Sequence, residues 1–123
     1  MANAQKLEFC HHNLVTELES DLTSSVAADV LVIPVTHPYV AKTSGADAEA
    51  LTLANGTPGQ ILVVHHTVDG GGTCTITPAT ATGWATAVLD EAGDMFTFLY
   101  VNDTMGWIVL GATGVAAQPV ISI

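Results

Sequence analysis

The stretch MFTFLYVNDTMGWIVL, residues 95–110, decides the fold predicted for this chain. Phe96, Phe98 and Tyr100 recur at every second position, so an extended chain would place all three aromatic rings on one face. The polar run Asn102–Gly106 then interrupts the apolar pattern and is typical of a tight turn. We therefore expect two adjacent strands whose aromatic face is turned toward the core.

Further short strands are predicted upstream, each bounded by turn residues. Their ranges are Ala50–Leu53, Gln60–Val68, Thr73–Thr77 and Trp84–Asp90. The run Asp69–Gly72 is expected to reverse the chain tightly, because glycine accepts the backbone angles that such turns need. Short strands with turns about every 8–12 residues are typical of sandwiches and barrels. We predict an all-β fold, an antiparallel β-sandwich or barrel of the jelly-roll type, with an extended N-terminal arm.

The N-terminal part of the chain is the least strand-like. Residues 1–26 are predicted to form the arm and residues 27–123 the β domain. A helix capped by Asn13 could run to Leu22, and an extended arm that docks on a neighbour fits the pattern equally well. The apolar run Val30–Ile33 is continuous, which indicates a strand covered on both faces. Pro34 and Pro38 cannot donate to a ladder, so this strand is expected at a sheet edge.

The composition limits which partners the protein can have. Its 123 residues fit one domain, and only 11% are charged, against about a quarter in ordinary soluble proteins. There are two lysines, no arginine and twelve acidic residues, for a net charge of −10. This balance argues against binding to nucleic acid or to an anionic membrane. With 49% hydrophobic residues, part of the surface is expected to be covered by a partner.

No targeting segment is recognised in the sequence. The start, Met-Ala-Asn-Ala-Gln-Lys, lacks the apolar region of a secretory signal. No window approaches the roughly 18 unbroken apolar residues of a membrane helix. We expect a protein that is made in a cytosol and that leaves it, if at all, by a route such as cell lysis.

The candidate metal and catalytic residues do not form a recognisable pattern. His11–His12 and His65–His66 are adjacent pairs, and neighbouring strand residues point to opposite faces, so each pair offers one ligand to a given site. The acidic run Asp90–Asp94 could bind calcium, but a solvated turn is the preferred interpretation. No Gly-x-Ser-x-Gly motif is present, and no lysine follows Gly70–Gly72 as in a phosphate loop. We therefore predict no enzymatic activity, no metal and no cofactor.

The two cysteines, Cys10 and Cys74, lie in the N-terminal segment and in a predicted strand. Two cysteines alone do not make a disulfide framework. Reduced thiols are favoured over a disulfide, which the sequence does not exclude.

Several turn motifs resemble those of a known class of viral proteins. They are the run Asp47–Gln60 (DAEALTLANGTPGQ), Asp69–Gly72, Thr75–Pro78, Ala92–Asp94 before the aromatic strand, and Gly106–Val109. Over residues 27–117 the chain resembles small structural proteins of tailed bacteriophages, notably cyanophages and other marine phages. These include head decoration, or cement, proteins, and similar segments occur in tail-fibre and spike proteins.

The resemblance implies a jelly-roll-like subunit, commonly a homotrimer, clamped on the outside of the major capsid protein lattice of the virion. Such a protein is assembled in the host cytoplasm and occupies the outer surface of the head. Contacts with the capsid or with neighbouring subunits are expected in the arm, in the first strands and in the C-terminal tail. The residues expected to make them are Leu7, Phe9, Val30, Leu31, Val32, Ile33, Tyr39, Val120, Ile121 and Ile123.

Two other functions compete with this one. The first is a tail-fibre, spike or knob module that binds a host surface glycan through exposed Trp84, Tyr39 or Tyr100. The second is a small metal-dependent β-barrel enzyme that uses His65 or His66 together with an acidic residue.

Overall fold

The protein consists of two packed five-stranded sheets. The computed structural model describes residues 22–114 and 120–123, and all regular elements within them are strands. The strands are β1 (Thr23–Val26), β2 (Val32–Ile33), β3 (Tyr39–Thr43), β4 (Glu49–Leu53), β5 (Ile61–Val68), β6 (Cys74–Pro78), β7 (Thr86–Leu89), β8 (Met95–Tyr100), β9 (Trp107–Thr113) and β10 (Val120–Ser122). The predicted all-β fold is confirmed.

The first sheet has the order β1-β3-β5-β8-β9 and the second the order β10-β7-β6-β4-β2. Both sheets are mixed. The pairs β1/β3, β3/β5, β2/β4 and β4/β6 are parallel, and the remaining pairs are antiparallel. The sheets do not close into a barrel and are compatible with a β-sandwich. The expectation of antiparallel pairing throughout is wrong for these four pairs.

The parallel pairs arise because the chain alternates between the two sheets. Each of the first six strands lies in the sheet opposite to its predecessor, so β3 returns beside β1 in the same direction, and β5 beside β3. The same holds for β2, β4 and β6. Asp69–Gly72 is therefore not a hairpin turn, as predicted, but a crossing from β5 in the first sheet to β6 in the second. Gly72 crosses close to the loop that precedes β4, where an added Cβ would overlap the Asp47 carbonyl oxygen.

The N-terminal prediction is only partly covered by the described residues. Thr23–Val26, assigned to the arm, pairs with β3, and Val26 is buried. The alternatives for residues 13–22 lie almost wholly outside the described residues. The expectation that both faces of Val30–Ile33 are covered is not met within the described residues, where Val30, Leu31 and Val32 are exposed and only Ile33 is buried. As predicted from its prolines, this strand lies at a sheet edge.

The core is built on the aromatic face predicted for β8. Phe96, Phe98 and Tyr100 are fully buried. Trp84 stacks on Phe98 with ring centroids 5.1 Å apart, and Trp107 meets Tyr100 edge-to-face at 5.1 Å. Both indole N–H groups have partners, since Trp84 Nε1 donates to the Trp107 carbonyl at 2.9 Å and Trp107 Nε1 to the Ala54 carbonyl at 2.9 Å. Burying both tryptophans therefore leaves no indole donor unpaired.

The loops fall into two groups at opposite ends of the sandwich. One end, here called the acidic end, carries the loops after β1, β3, β5 and β7, which hold the exposed residues Asp29, Asp47, Asp69, Asp90 and Glu91. Of the acidic residues in the described part of the chain, only Asp103 lies at the opposite end, in the β8–β9 turn. Negative charge is thus concentrated at one end of the molecule.

Candidate interaction surface

The outer face of the first sheet presents an uncharged and largely apolar surface. Strand register places Tyr39, Val63 and Thr97 in one row across three strands, and Ile61, Leu99 and Ile108 in a second. Their neighbours at alternate positions are buried, so these side chains point away from the core. We call this surface the apolar face and define it by Tyr39, Ile61, Val63, Met95, Leu99 and Ile108.

The apolar face carries no aspartate, glutamate, lysine or arginine. The other outward positions of this sheet are filled by threonine, serine, alanine, glycine, His65 and, at the bulge of β9, the exposed Leu110. The outer face of the second sheet is different, because its central positions are rich in hydroxyl groups, with Thr52, Thr75, Thr77 and Thr86. Threonine suits a solvated strand surface, whereas adjacent Ile, Val, Leu and Met side chains favour burial against a partner.

Tyr39 and His65 form a polar pair within the apolar face. The Tyr39 hydroxyl lies 2.7 Å from His65 Nδ1, and the rings meet edge-to-face with centroids 5.9 Å apart. Both residues are half-buried and stand on adjacent parallel strands. Of the predicted contact residues that the structure describes, only Tyr39 belongs to this face.

A shallow groove adjoins the apolar face at the opposite end of the sandwich. It has a volume of about 470 Å³ and shares Ile61 with the face. Its other lining residues are Val35, Thr36, His37, Pro38, Thr57 and Gln60. Gln60 shapes the groove, because its Nε2 donates to the Val35 carbonyl at 2.6 Å and its Oε1 accepts from the Thr57 amide at 2.9 Å.

The other predicted contact residues occupy different places. Val30, Leu31 and Val32 form an exposed apolar cluster at the β2 edge, with 47%, 44% and 61% of their surface exposed. Ile33 is buried in the core of its own chain, and Ile121 packs against that core. Ile123 is fully exposed, and Val120 pairs with Val88 in β7. Leu7 and Phe9 lie outside the described residues.

The β2 edge is positioned by a buried ion pair that sequence reasoning missed. Lys42 Nζ lies 2.7 Å from Glu49 Oε1, with both side chains almost completely buried. The ammonium group also donates to the Ala27 and Val30 carbonyls at 2.8 and 2.9 Å, so all three of its donors are used. These hydrogen bonds fix the conformation of the turn that leads from β1 to the exposed Val30–Val32 cluster.

Glu49 is fully engaged as well. It accepts from the Asp29 amide at 2.9 Å and from the Gly45 amide at 2.6 Å, in addition to Lys42. Burial by itself would raise the pKa of Glu49, but the hydrogen bond from Lys42, the two backbone amides and the ammonium charge outweigh it and lower the pKa. Asp29 adopts a positive φ of 65° in this turn, a conformation that Asp tolerates better than most residues.

A signal for the ion pair is present in the sequence. Lys42 follows the apolar Val40 by two positions, and Glu49 precedes Leu51 by two, so alternation places both charges on the inward side. Two inward charges of opposite sign on consecutive strands are expected to pair, because burying a charge without a partner costs free energy.

The two adjacent histidines separate as predicted, His65 outward and His66 inward. His66 is fully buried, and its Nε2 lies 3.0 Å from Ser44 Oγ, which also accepts from the Gly70 amide at 3.0 Å. The Asp69 carboxylate is 3.4 Å from Ser44 Oγ and makes no hydrogen bond to His66 within the described chain, and His66 Nδ1 has no partner there. With Ser44 only 2% exposed, this cluster ties two loops together and presents no accessible nucleophile.

The acidic run Asp90–Asp94 is a turn closed by its own carboxylate. Asp94 is buried, and its Oδ2 accepts from the Asp90 and Glu91 amides at 2.9 and 3.0 Å. Both hydrogen bonds fall on Oδ2, so the buried carboxylate holds the turn closed. In the described part of the chain no three His, Cys, Asp or Glu side chains converge as metal ligands would.

Cys74 is buried in β6, and burial is the main cause that raises the pKa of its thiol to about 11. The nearby Glu49 charge acts in the same direction. Cys10 lies outside the described residues, and the preference for reduced thiols over a disulfide between Cys10 and Cys74 stays a prediction.

Comparison with known proteins does not connect this chain to any of them: no family model, no curated protein and no solved structure matches it. Across residues 22–114 and 120–123 there is also no helix of the length and apolarity that a membrane crossing requires.

Proposed function

We propose that the protein is a non-enzymatic virion structural protein, a capsid decoration (cement) protein that binds the outer surface of the major capsid protein lattice and stabilises the head. The observation that carries the proposal is the apolar face, an uncharged surface on a chain with a net charge of −10. Exposed surfaces that are apolar and uncharged are typical of protein–protein interaction sites. Binding that favours the assembled shell stabilises it by mass action.

The charge distribution supports the same role. With Lys42 buried, the described surface has no lysine or arginine to contact packaged DNA. The motifs that resemble tailed-phage proteins lie in loops and strands of the sandwich, among them the Asp69–Gly72 crossing and the Gly93–Asp94 turn. They therefore bear on the fold more directly than on the place in the virion. A homotrimer on the head surface, assembled in the host cytoplasm, is the arrangement that the resemblance implies.

The test is the copy number and location of the protein in purified phage particles. A decoration protein is present in a fixed proportion to the major capsid protein and is released with the heads when tails are separated. A few copies that remain with the tails would contradict the proposal and support the alternative, a tail-fibre, spike or knob module that binds a host glycan.

The structure weakens the glycan-binding alternative at two of its three aromatic residues. Trp84 and Tyr100 are buried, so neither can stack on a sugar, and only Tyr39 has an outward position. A glycan array with the purified protein and a Tyr39→Ala variant addresses this alternative directly.

A further inference from the structure

We infer that the apolar face docks on a protein surface that is apolar in its centre. The contact extends to the exposed carboxylates of Asp69, Asp90 and Glu91 at the acidic end of the sandwich. Opposite them the partner carries lysine or arginine along one margin, here called the basic margin. The inference rests on the proposed function, in which the capsid lattice is that partner. It goes further by assigning the contact to one face and by stating the chemistry of the opposing surface.

The choice between the two sheet faces follows from their side chains. Both faces lack charge, but the centre of the apolar face is Val63, flanked by Tyr39 and Thr97, whereas the centre of the other face is Thr75, flanked by Ala50 and Val88. Removing aliphatic surface from water contributes a favourable free energy of roughly 25 cal/mol per Å² buried. Burying threonine hydroxyls without partners costs free energy instead. A partner therefore gains more by covering the apolar face.

The basic margin follows from where the carboxylates lie. Asp69 comes directly after β5, and Asp90 and Glu91 come shortly before β8, the two adjacent strands that form the middle of the apolar face. These three side chains are exposed, and the only lysine in the described residues is consumed by Glu49. A partner that covers the apolar face places the margin of its own surface beside these three unpaired carboxylates. Lysine or arginine at that margin is favoured, because opposite charges attract across an interface.

A second copy of the chain fits less well than a basic partner. Five strands of four to eight residues, about 4.8 Å apart, give a face of roughly 500 Å², below the ~800 Å² per partner of a stable interface. A second copy also offers this face no exposed lysine or arginine from its described residues, because the one lysine among them is buried against Glu49. A basic margin extends the contact onto the loops of the acidic end and adds attraction between unlike charges.

The decisive variant is Thr97→Glu, with Thr75→Glu as its control. Both threonines are half-buried, point outward near the middle of a sheet and receive the same substitution, but on opposite faces. The probe is phage heads assembled without this protein, and binding is measured by co-sedimentation, with unfolding curves confirming that both variants are folded. We expect T97E to bind about 100-fold more weakly or worse, because it buries an unpaired charge, and T75E to bind within about threefold of wild type.

The outcomes separate the inference from the proposed function. If wild type does not bind the heads, the decoration function and the inference both fail. If wild type and T97E bind equally, the decoration function stands and the assignment to the apolar face is wrong. If wild type alone self-associates in sedimentation and T97E abolishes this, the face is occupied by a second copy and the inference is overturned.

The basic margin has its own test in the double variant Asp90→Asn with Glu91→Gln. We expect its binding to heads to be several-fold weaker at low salt and less sensitive to added salt than wild type, because charge pairs at a margin are screened. Asp103→Asn, at the opposite end of the sandwich, should retain the wild-type salt response. An unchanged salt response in the double variant would overturn the basic margin.

Discussion

At the scale of single residues, Lys42 and Glu49 are the most constrained pair in the described chain. Lys42→Met removes the ammonium group while keeping the length and the apolar character of the stem. We expect a loss of about 3 kcal/mol in the free energy of unfolding, since deleting one partner of a buried pair leaves the other charge uncompensated. Denaturant unfolding followed by the fluorescence of Trp84 and Trp107, both buried, measures the loss.

Two further variants check this prediction. Asp47→Asn removes an exposed carboxylate from the same loop region and should change stability by less than about 0.5 kcal/mol. The double variant Lys42→Met with Glu49→Gln should lose less than the sum of the two single losses, because the two side chains share one interaction. Additive losses would mean that the pair does not act as a unit.

The lowered pKa of Glu49 predicts how the contribution of this residue changes with pH. A carboxyl whose pKa is lower in the folded state stabilises the protein fully above its ordinary value of 4.5 and loses this effect as the pH falls through the folded-state pKa. The stability difference between wild type and Glu49→Gln should therefore be constant near neutrality and shrink below about pH 4.5. Unfolding curves of both proteins across this range test it, and a difference that does not change with pH would show that Glu49 is not ionised in the fold.

At the scale of elements, the crossings between sheets are tight enough to require glycine. Gly72→Ala would place a methyl group against the Asp47 carbonyl oxygen, which is backbone and cannot swing away. We expect a loss of about 3 kcal/mol or more. Gly111→Ala is the control, because a Cβ at that exposed strand position meets no atom. Equal stabilities of the two variants, measured by denaturant unfolding, would show that the β5–β6 crossing tolerates displacement.

The elements from β4 onward could be predicted from the sequence, and their pairing could not. Alternation within residues 61–68 and 95–100 is a local property, and turn residues mark where each strand ends, so the bounds of β4 to β8 agree within two residues. The strand β9 runs to Thr113, three residues beyond the predicted end at Leu110. Whether the chain after Val68 turns back in the same sheet or crosses to the other depends on which edge is free, which no local pattern encodes. Glycine at 70–72 is compatible with either path, so the hairpin predicted there was wrong.

For the candidate surface as well, the outward positions could be predicted from the sequence, and their grouping into one face could not. Tyr39 was among the contact residues expected from the resemblance, but its partners in the apolar face come from β5, β8 and β9, strands that are far away in the sequence. Alternation indicates that Val63 and Leu99 face away from neighbours such as Leu62 and Phe98. It does not indicate that these outward positions join into one uncharged surface.

At the scale of the whole molecule, the alternation between sheets predicts slow folding. In the first six strands no strand pairs with the one that follows it, so each parallel pair closes a loop that contains a strand of the other sheet. Closing these loops lowers the entropy of the chain before the strand pairings can stabilise it. Proteins rich in such long-range contacts fold in milliseconds to seconds. Stopped-flow refolding followed by tryptophan fluorescence should show this range, and complete refolding in microseconds would contradict the pairing order.

The burial of Lys42 also governs how the folded protein meets trypsin-like proteases. These enzymes cut after lysine or arginine, and the chain offers them only Lys6 and Lys42. The Lys42–Thr43 peptide bond lies inside β3, and the lysine head that the protease must capture is held within the sandwich. Cutting there requires β3 to open and release the lysine head, so the rate at which the fragment beginning at Thr43 appears measures how readily the native molecule opens.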